Sequence, residues 1–254
     1  MKRIVIKIGT KVLSKKDGTL DTEFLRHIVE QIVQLRKGGI QVVLITSGAV
    51  GAGKSLVSLH DTKSKTVQKQ IFASIGQVKL MSIYSKLFAK YNYYCAQVLV
   101  TKEDFRDKEH LLNMKNCLEG LLLDNVVPIV NENDVVATTE LLFTDNDELA
   151  GLIAKQLKID NLIILTDTEG ILDDANKTIP EVNPSNIEIV KNYIKPDKST
   201  SGRGGMISKF NTAKGLSEIG ITSYIVGGNR NNALLKVMEG SKIGTKFIPN
   251  KPPQ

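Results

Sequence analysis

The chain has 254 residues, 41% apolar and 24% charged, with a formal net charge of +7, enough for one large or two small domains with a sizeable core. No apolar run approaches the roughly 20 residues needed to cross a bilayer, and Lys7 breaks MKRIVIKIGT before a signal-peptide core forms; a soluble, cytoplasmic protein with no membrane partner is expected. Cys95 and Cys117 sit singly in apolar segments, and His27, His60 and His110 lack metal-ligand spacing, which argues against a disulfide framework or a protein metal cage.

In chain order, RIVIKIG (3–9) reads as a short buried strand, and Phe24, Leu25, Ile28, Ile32 and Leu35 recur at helical spacing. Asp21 or Thr22 suits the cap of that helix, and Gly38-Gly39 its end. Strand-like QVVLITS (41–47) is followed by a long helix from about Gln68 to Lys90, strand CAQVLVT (95–101), a helix from about Asp107 to Leu123, and strand VVPIVNEN (126–133). A helical ELAGLIAKQL then leads into NLIILTD (161–167); beyond an irregular stretch come a helix at GMISKFNTAKGLSEIG, strand TSYIVGG (222–228), a helix over Ala233–Glu239 and a last strand, TKFIP. Continuous apolar strands alternating with amphipathic helices predict an α/β fold, a mainly parallel sheet with helices on both faces. Ligands in such folds sit at the carboxyl ends of the strands.

The positive charge is compatible with nucleic acid, an anionic membrane surface or small polyanions. The dense cluster KSLVSLHDTKSKTVQK (54–69) has no interleaved aromatics to stack on bases, so small anions are favoured over nucleic acid. Segment 195–205, KPDKSTSGRGG, reads either as a plain solvent loop or, with Arg203 and its glycines before a helix carrying Lys209, as an anion-binding loop.

Four strand ends gather small, polar and charged residues: KIGTK (7–11), TSGAVGAGK (46–54), NENDVVATTELLFTDNDELA (131–150) and LTDTEGI (165–171). Together they suit phosphoryl transfer, where the protein positions two anionic partners and neutralises the moving group. Lys7 and Lys209 supply charge; Gly9, Gly48 and Gly51 let backbone N–H groups approach phosphate oxygens. Asp134, Asp145, Asn146 and Asp147 suit an ammonium group, the orientation of a lysine, or water-mediated Mg²⁺. The plainer alternatives are an edge-strand Lys7 and an Asp-Asn-Asp turn that caps the helix at Glu148.

Gly48 to Ser55 also spells G-x-x-x-x-G-K-S after an apolar run, the pattern of a P-loop with Lys54 on the phosphates, Ser55 on Mg²⁺ and Asp167 as the second carboxylate. It lies on the second strand rather than the first and leaves Lys7 and Lys209 without work. The reading taken is a chance match, with Lys54 turned to solvent.

KIGTKVL, ITSGAVGAG, VPIVNENDVVAT, FTDNDELA, IILTDTEG and GRGGMISK occur in the order and spacing of the glutamate 5-kinase branch of the amino-acid kinase family, which this chain resembles from Lys2 to about Phe247. The resemblance implies a three-layer αβα sandwich with an open sheet: one amino-acid kinase domain (1–254), whose residues 1–156 bind the amino acid and 157–254 the nucleotide. It implies catalytic roles for Lys7, Lys209 and Asp147. It puts Ser47, Gly48, Asn131, Asp134, Asp145 and Asn146 on the amino acid, and Lys7, Gly9, Thr166, Asp167, Arg203, Gly204, Gly205, Met206, Ile207, Ser208 and Lys209 on ATP. Arg203 stands where the family pattern has a small hydroxyl residue. A C-terminal PUA domain, carried by many bacterial members, is not expected in a chain that stops at Gln254.

The implied reaction converts ATP and L-glutamate to ADP and L-glutamyl 5-phosphate, the first step of proline biosynthesis from glutamate. It also brings Mg²⁺ with ATP, proline as feedback inhibitor, a homo-oligomer (dimer or tetramer) and the glutamyl-phosphate reductase of the next step as a partner. A carboxylate nucleophile is already ionised at neutral pH and needs no general base. Kinases of nucleoside monophosphates or N-acetylated amino acids fit less well, because Asp134, Asp145 and Asn146 suit a free ammonium. A non-catalytic nucleotide-binding module would have no use for both lysines.

Overall fold

RIVIKI, the first strand, lies at the centre of the sheet, with strands hydrogen-bonded along both edges. The computed structural model describes residues 1–59, 64–137, 143, 145–194 and 205–250. The first half runs β1 (Arg3–Ile8), α1 (Thr10–Leu13), α2 (Thr22–Lys37), β2 (Gln41–Ile45), α3 (Ala49–Lys54), α4 (Lys65–Ala89), β3 (Cys95–Val100), a 3₁₀ turn (Glu103–Phe105), α5 (Lys108–Leu123) and β4 (Val127–Glu132). The second runs α6 (Asn146–Gln156), β5 (Asn161–Thr166), β6 (Glu181–Val182), α7 (Ile187–Asn192), α8 (Gly205–Glu218), β7 (Thr222–Gly227), α9 (Ala233–Met238) and β8 (Thr245–Phe247).

The eight strands are ordered β3-β4-β2-β1-β5-β7-β8-β6. Every pairing is parallel except β7 with β8. The strands of the first half of the chain thus fill one side of the sheet and those of the second half the other. Successive side chains of a strand point to opposite faces, and β1 shows what this achieves. Ile4, Ile6 and Ile8 pack with α2, α4 and α9 on one face, whereas Val5 joins α5, α6 and α8 on the other. The expected αβα sandwich is therefore present. Among the described residues no helix is long and apolar enough to cross a membrane.

Helix ends follow local chemistry. Asp21 accepts hydrogen bonds from the backbone N–H of Glu23 and Phe24, capping α2, and Gly38 ends it. Helix α3, which glycine-rich AVGAGK does not announce, exists because it packs on α4. A Cβ on Gly53 would lie 1.9 Å from the Phe72 carbonyl oxygen, and one on Gly76 would lie 1.7 Å from that of Ala49. The second glycine of the P-loop-like pattern is thus a helix-packing residue.

The close approach generates a paired prediction. Gly76→Ala should destabilise the protein by about 3 kcal/mol or more, since backbone must move to admit the methyl group. Gly120→Ala, in α5 where nothing lies within 4 Å of the new Cβ, should stabilise by roughly 0.5 to 1 kcal/mol through helix propensity. Urea unfolding of both variants checks the opposite signs.

Candidate active site

The carboxyl ends of β1, β2, β4 and β5 meet the N-termini of α6 and α8 around a cleft of about 380 Å³. That size suits a small molecule. Its walls include Lys7, Gly9, Ser47, Gly48, Asn131, Asp134, Asp145, Asn146, Thr166, Asp167, Gly205, Met206 and Lys209. The structure therefore brings together most of the site residues expected from the sequence. Arg203 and Gly204 lie outside the described residues. Ile207 and Ser208 line a groove between α6 and α8 rather than this cleft, although the Ser208 side chain reaches Asp145 of the cleft wall.

The charge centre is Asp147, whose side chain is fully buried. Its Oδ1 lies 2.6 Å from Lys7 Nζ and its Oδ2 2.9 Å from Lys209 Nζ. Strand alternation puts Lys7 on the α6 face, the face of Val5. Lys209 stands one turn into α8, where its Nζ also donates to the Gly205 carbonyl oxygen at 3.3 Å. Burial pushes the Lys7 ammonium below the ordinary lysine value, with Asp147 opposing that shift and Lys209 adding to it. The carboxylate is held in place by its own helix start: Asp145 Oδ1 accepts from the N–H groups of Asp147 (2.7 Å) and Glu148 (3.1 Å). Asp145 thus caps α6, and burial, then repulsion from Asp147, raises its own pKa.

Beside this centre lies a set of amides and hydroxyls. Asn146 Nδ2 donates to the Thr46 carbonyl oxygen (2.7 Å), Ser47 Oγ (2.8 Å) and Asn131 Oδ1 (3.0 Å). Asn131 Nδ2 in turn donates to Gln77 Oε1 at 3.1 Å. With its nitrogen so committed, Asn146 has only its amide oxygen, an acceptor, left to offer on the cleft wall. Gly48 opens α3 with φ of 95°, a left-handed conformation that favours glycine. Asp134 is ion-paired with Lys69 of α4.

Across the cleft, Thr166 Oγ1 donates to Asp167 Oδ1 at 3.2 Å, and Lys11 lies 3.3 Å from Asp167 Oδ2. Burial pushes the Asp167 carboxyl up, but Lys11 and hydrogen bonding outweigh it and leave the pKa lowered. Lys11 belongs to the KIGTK strand end and Lys69 to the lysine-rich 54–69 segment, but the sequence gives neither of them, nor Gln77, an individual partner. Lys11 was legible from its place two residues after Gly9; Lys69 and Gln77 act through partners 65 and 54 residues away. Lys54 is exposed, with Nζ 5.9 Å from the Phe72 ring centre, and is not on the cleft. No group of three His, Cys, Asp or Glu side chains is arranged to hold a metal among the described residues.

Removing the shared carboxylate leaves two largely buried ammonium groups without their partner. Asp147→Asn should therefore destabilise the protein by about 3 kcal/mol or more at neutral pH. Lys7 then binds its proton more weakly folded than unfolded, so part of the loss should be regained as pH rises toward the ordinary lysine value of about 10.4. Denaturant unfolding across pH, with Lys7→Met/Asp147→Asn as a milder double variant, measures both.

The sheet order, the buried lysine pair and the glycine turns place this molecule among known folds. Carbamate kinase from Giardia superposes with a TM-score of 0.70 at 20% identity, covering 98% of this chain and 99% of the other. UMP kinase from Bacillus anthracis gives 0.64 at 13% identity, covering 98% and 97%. These likenesses concern the fold. At the sequence level, a glutamate 5-kinase from Chlorobaculum tepidum is 46% identical over 256 residues, covering 100% of this chain and 71% of the relative. One from Alkaliphilus metalliredigens is 38% identical, covering 98% and 97%. The model of the amino acid kinase family matches residues 2–227, a span that contains all the described cleft residues, and the chain belongs to that family.

Proposed function

We propose that the protein transfers the γ-phosphoryl group of ATP to the side-chain carboxylate of L-glutamate, the first step of proline biosynthesis. The observation that carries this reading is the single buried carboxylate, Asp147, shared by two ammonium groups that line the cleft. The 38 to 46% identical glutamate 5-kinases support the choice of acceptor.

In this reading residues 1–156 hold the amino acid and 157–254 the nucleotide. The α-ammonium group rests against Asp134 and the oxygen of Asn146, near Ser47 and Asn131. Gly9, Gly48, Thr166, Asp167, Gly205 and Met206 border the phosphates. A carboxylate oxygen attacks the γ-phosphorus in line; the new O–P bond forms as the bond to the β-γ bridging oxygen breaks, and ADP leaves with that electron pair. Lys7 and Lys209 donate hydrogen bonds to the oxygens that gain charge, and Asp147 keeps both ammoniums aimed and charged. No proton leaves the nucleophile, so no base is required.

Asp147 already engages both lysines, and no three-carboxylate cage is found among the described residues. This donor set fits a Mg²⁺ held chiefly by the phosphates it accompanies, with Asp167 or Asp145 reached through water. When bound, the ion neutralises charge on the β- and γ-phosphates. Proline shares the α-carboxylate and cationic amine of glutamate but has no carboxylate to phosphorylate, which suits it as an inhibitor of the same site. We further propose a homo-oligomer, a dimer or tetramer, in a cytoplasmic setting where the glutamyl-phosphate reductase draws on the product.

Steady-state kinetics test the reading. Lys7→Ala and Lys209→Ala should each lower kcat about a hundredfold or more, comparable to losing an oxyanion-hole donor. Lys54→Ala should change it less than about tenfold. Aspartate, one carbon shorter, and N-acetylglutamate, without a cationic amine, should be about a hundredfold poorer than glutamate. Equal turnover of either would overturn the assignment of acceptor. Inhibition by proline should vanish at high glutamate; inhibition insensitive to glutamate would mean a separate site.

A further inference from the structure

Resting on the proposed function, we infer that Lys69 and Asp134 act as one receptor for the zwitterionic head of the amino acid, with Lys69 taking the α-carboxylate when the α-ammonium takes Asp134. The two side chains are ion-paired, and both line the cleft. A free amino acid carries the same two charges on one carbon. Inserted between Asp134 and Lys69, it replaces one ion pair by two, carboxylate to ammonium at one end and ammonium to carboxylate at the other. Neither protein charge is left bare when the resident pair opens.

The charge distribution of the cleft leads to the same residue. Among the described residues that line it, the lysines are Lys7, Lys11, Lys69 and Lys209. In the proposed reaction Lys7 and Lys209, gathered on Asp147, face the transferred phosphoryl group, and Lys11 pairs with Asp167 at the nucleotide end. Lys69 is the lysine on the side of Asp134, Asn131 and Asn146. The carboxylates on the same walls are Glu132, Asp134, Asp145 and Asp167, so an α-carboxylate entering without a cation would meet like charge. Lys69 also has the freedom to exchange partners. Its side chain is 31% exposed while that of Asp134 is 12% exposed, so the lysine can swing while the aspartate stays.

A second link holds the two elements together independently of charge: Gln70 Nε2 donates to the Val135 carbonyl oxygen at 2.7 Å. The start of α4 and the segment after β4 therefore stay adjacent while Lys69 changes partner. That link also provides the control, because Gln70→Ala loosens the same junction without removing a charge.

The test compares glutamate with γ-aminobutyrate, which keeps the amine and the reacting carboxylate but lacks the α-carboxylate. In the unaltered protein kcat/KM should strongly favour glutamate. Lys69→Met should lower kcat/KM for glutamate between about tenfold and a hundredfold, the effect of one charged hydrogen bond, and change that for γ-aminobutyrate less than about threefold. Where γ-aminobutyrate turns over slowly, its Ki against glutamate gives the same comparison. Gln70→Ala should leave the preference between the two compounds intact. Equal losses on both compounds in Lys69→Met, no loss on glutamate, or the same collapse of preference in Gln70→Ala would overturn the receptor. Failure of the unaltered protein to phosphorylate glutamate would overturn the kinase reading itself, and the receptor with it.

Discussion

One fully buried carboxylate between two lysines governs the arrangement. An isolated charge in the interior is costly, and a carboxylate with one partner removed is worse than none. Asp147 meets that cost by pairing with Lys7 of the central strand and by accepting a hydrogen bond from Lys209 of α8, residues separated by most of the chain. The first and second halves of the sheet are thereby joined at the point where both open into the cleft. Because each ammonium still lines the cleft, the interaction that closes the interior also presents positive charge to a ligand.

Neighbouring features follow from keeping that carboxylate where it is. Asp145 has one oxygen devoted to the first turn of α6, which fixes the direction in which Asp147 projects. Asn146, between them, is held by Thr46, Ser47 and Asn131. Three successive residues therefore serve as helix cap, amide link to the ends of β2 and β4, and charge centre, and a shift of α6 would move all three together. The glycines that bring α3 against α4 set the neighbouring part of the cleft wall by the same logic of close backbone approach.

Much of the fold was legible because buried parallel strands are nearly continuous apolar runs, and NLIILTD or QVVLIT has no other plausible use. What was not legible depends on contacts far apart in sequence. AVGAGK contains too much glycine to announce a helix and becomes one against α4. The two-residue strand β6 and the helix α7 have no periodicity long enough to read, and the reversed direction of β8 against β7 leaves no mark on residue pattern. In the site, lysines and aspartates at strand ends were visible as chemistry without geometry. The Asp-Asn-Asp run caps α6 through Asp145 and also places Asp147 between Lys7 and Lys209, two uses that residue pattern alone does not separate. Lys69 was hidden in a lysine-rich stretch, and only folding brings it to Asp134.

The central claim, that this cleft joins the side-chain carboxylate of glutamate to phosphorus, is tested most directly by following the oxygen. Glutamate carrying heavy oxygen in its side-chain carboxylate is incubated with ATP, and the product is trapped with hydroxylamine. The account predicts glutamyl hydroxamate together with inorganic phosphate containing one heavy oxygen, because the bridging atom of the acyl phosphate comes from the substrate. ATP consumption without hydroxamate, or phosphate free of the label, would contradict it.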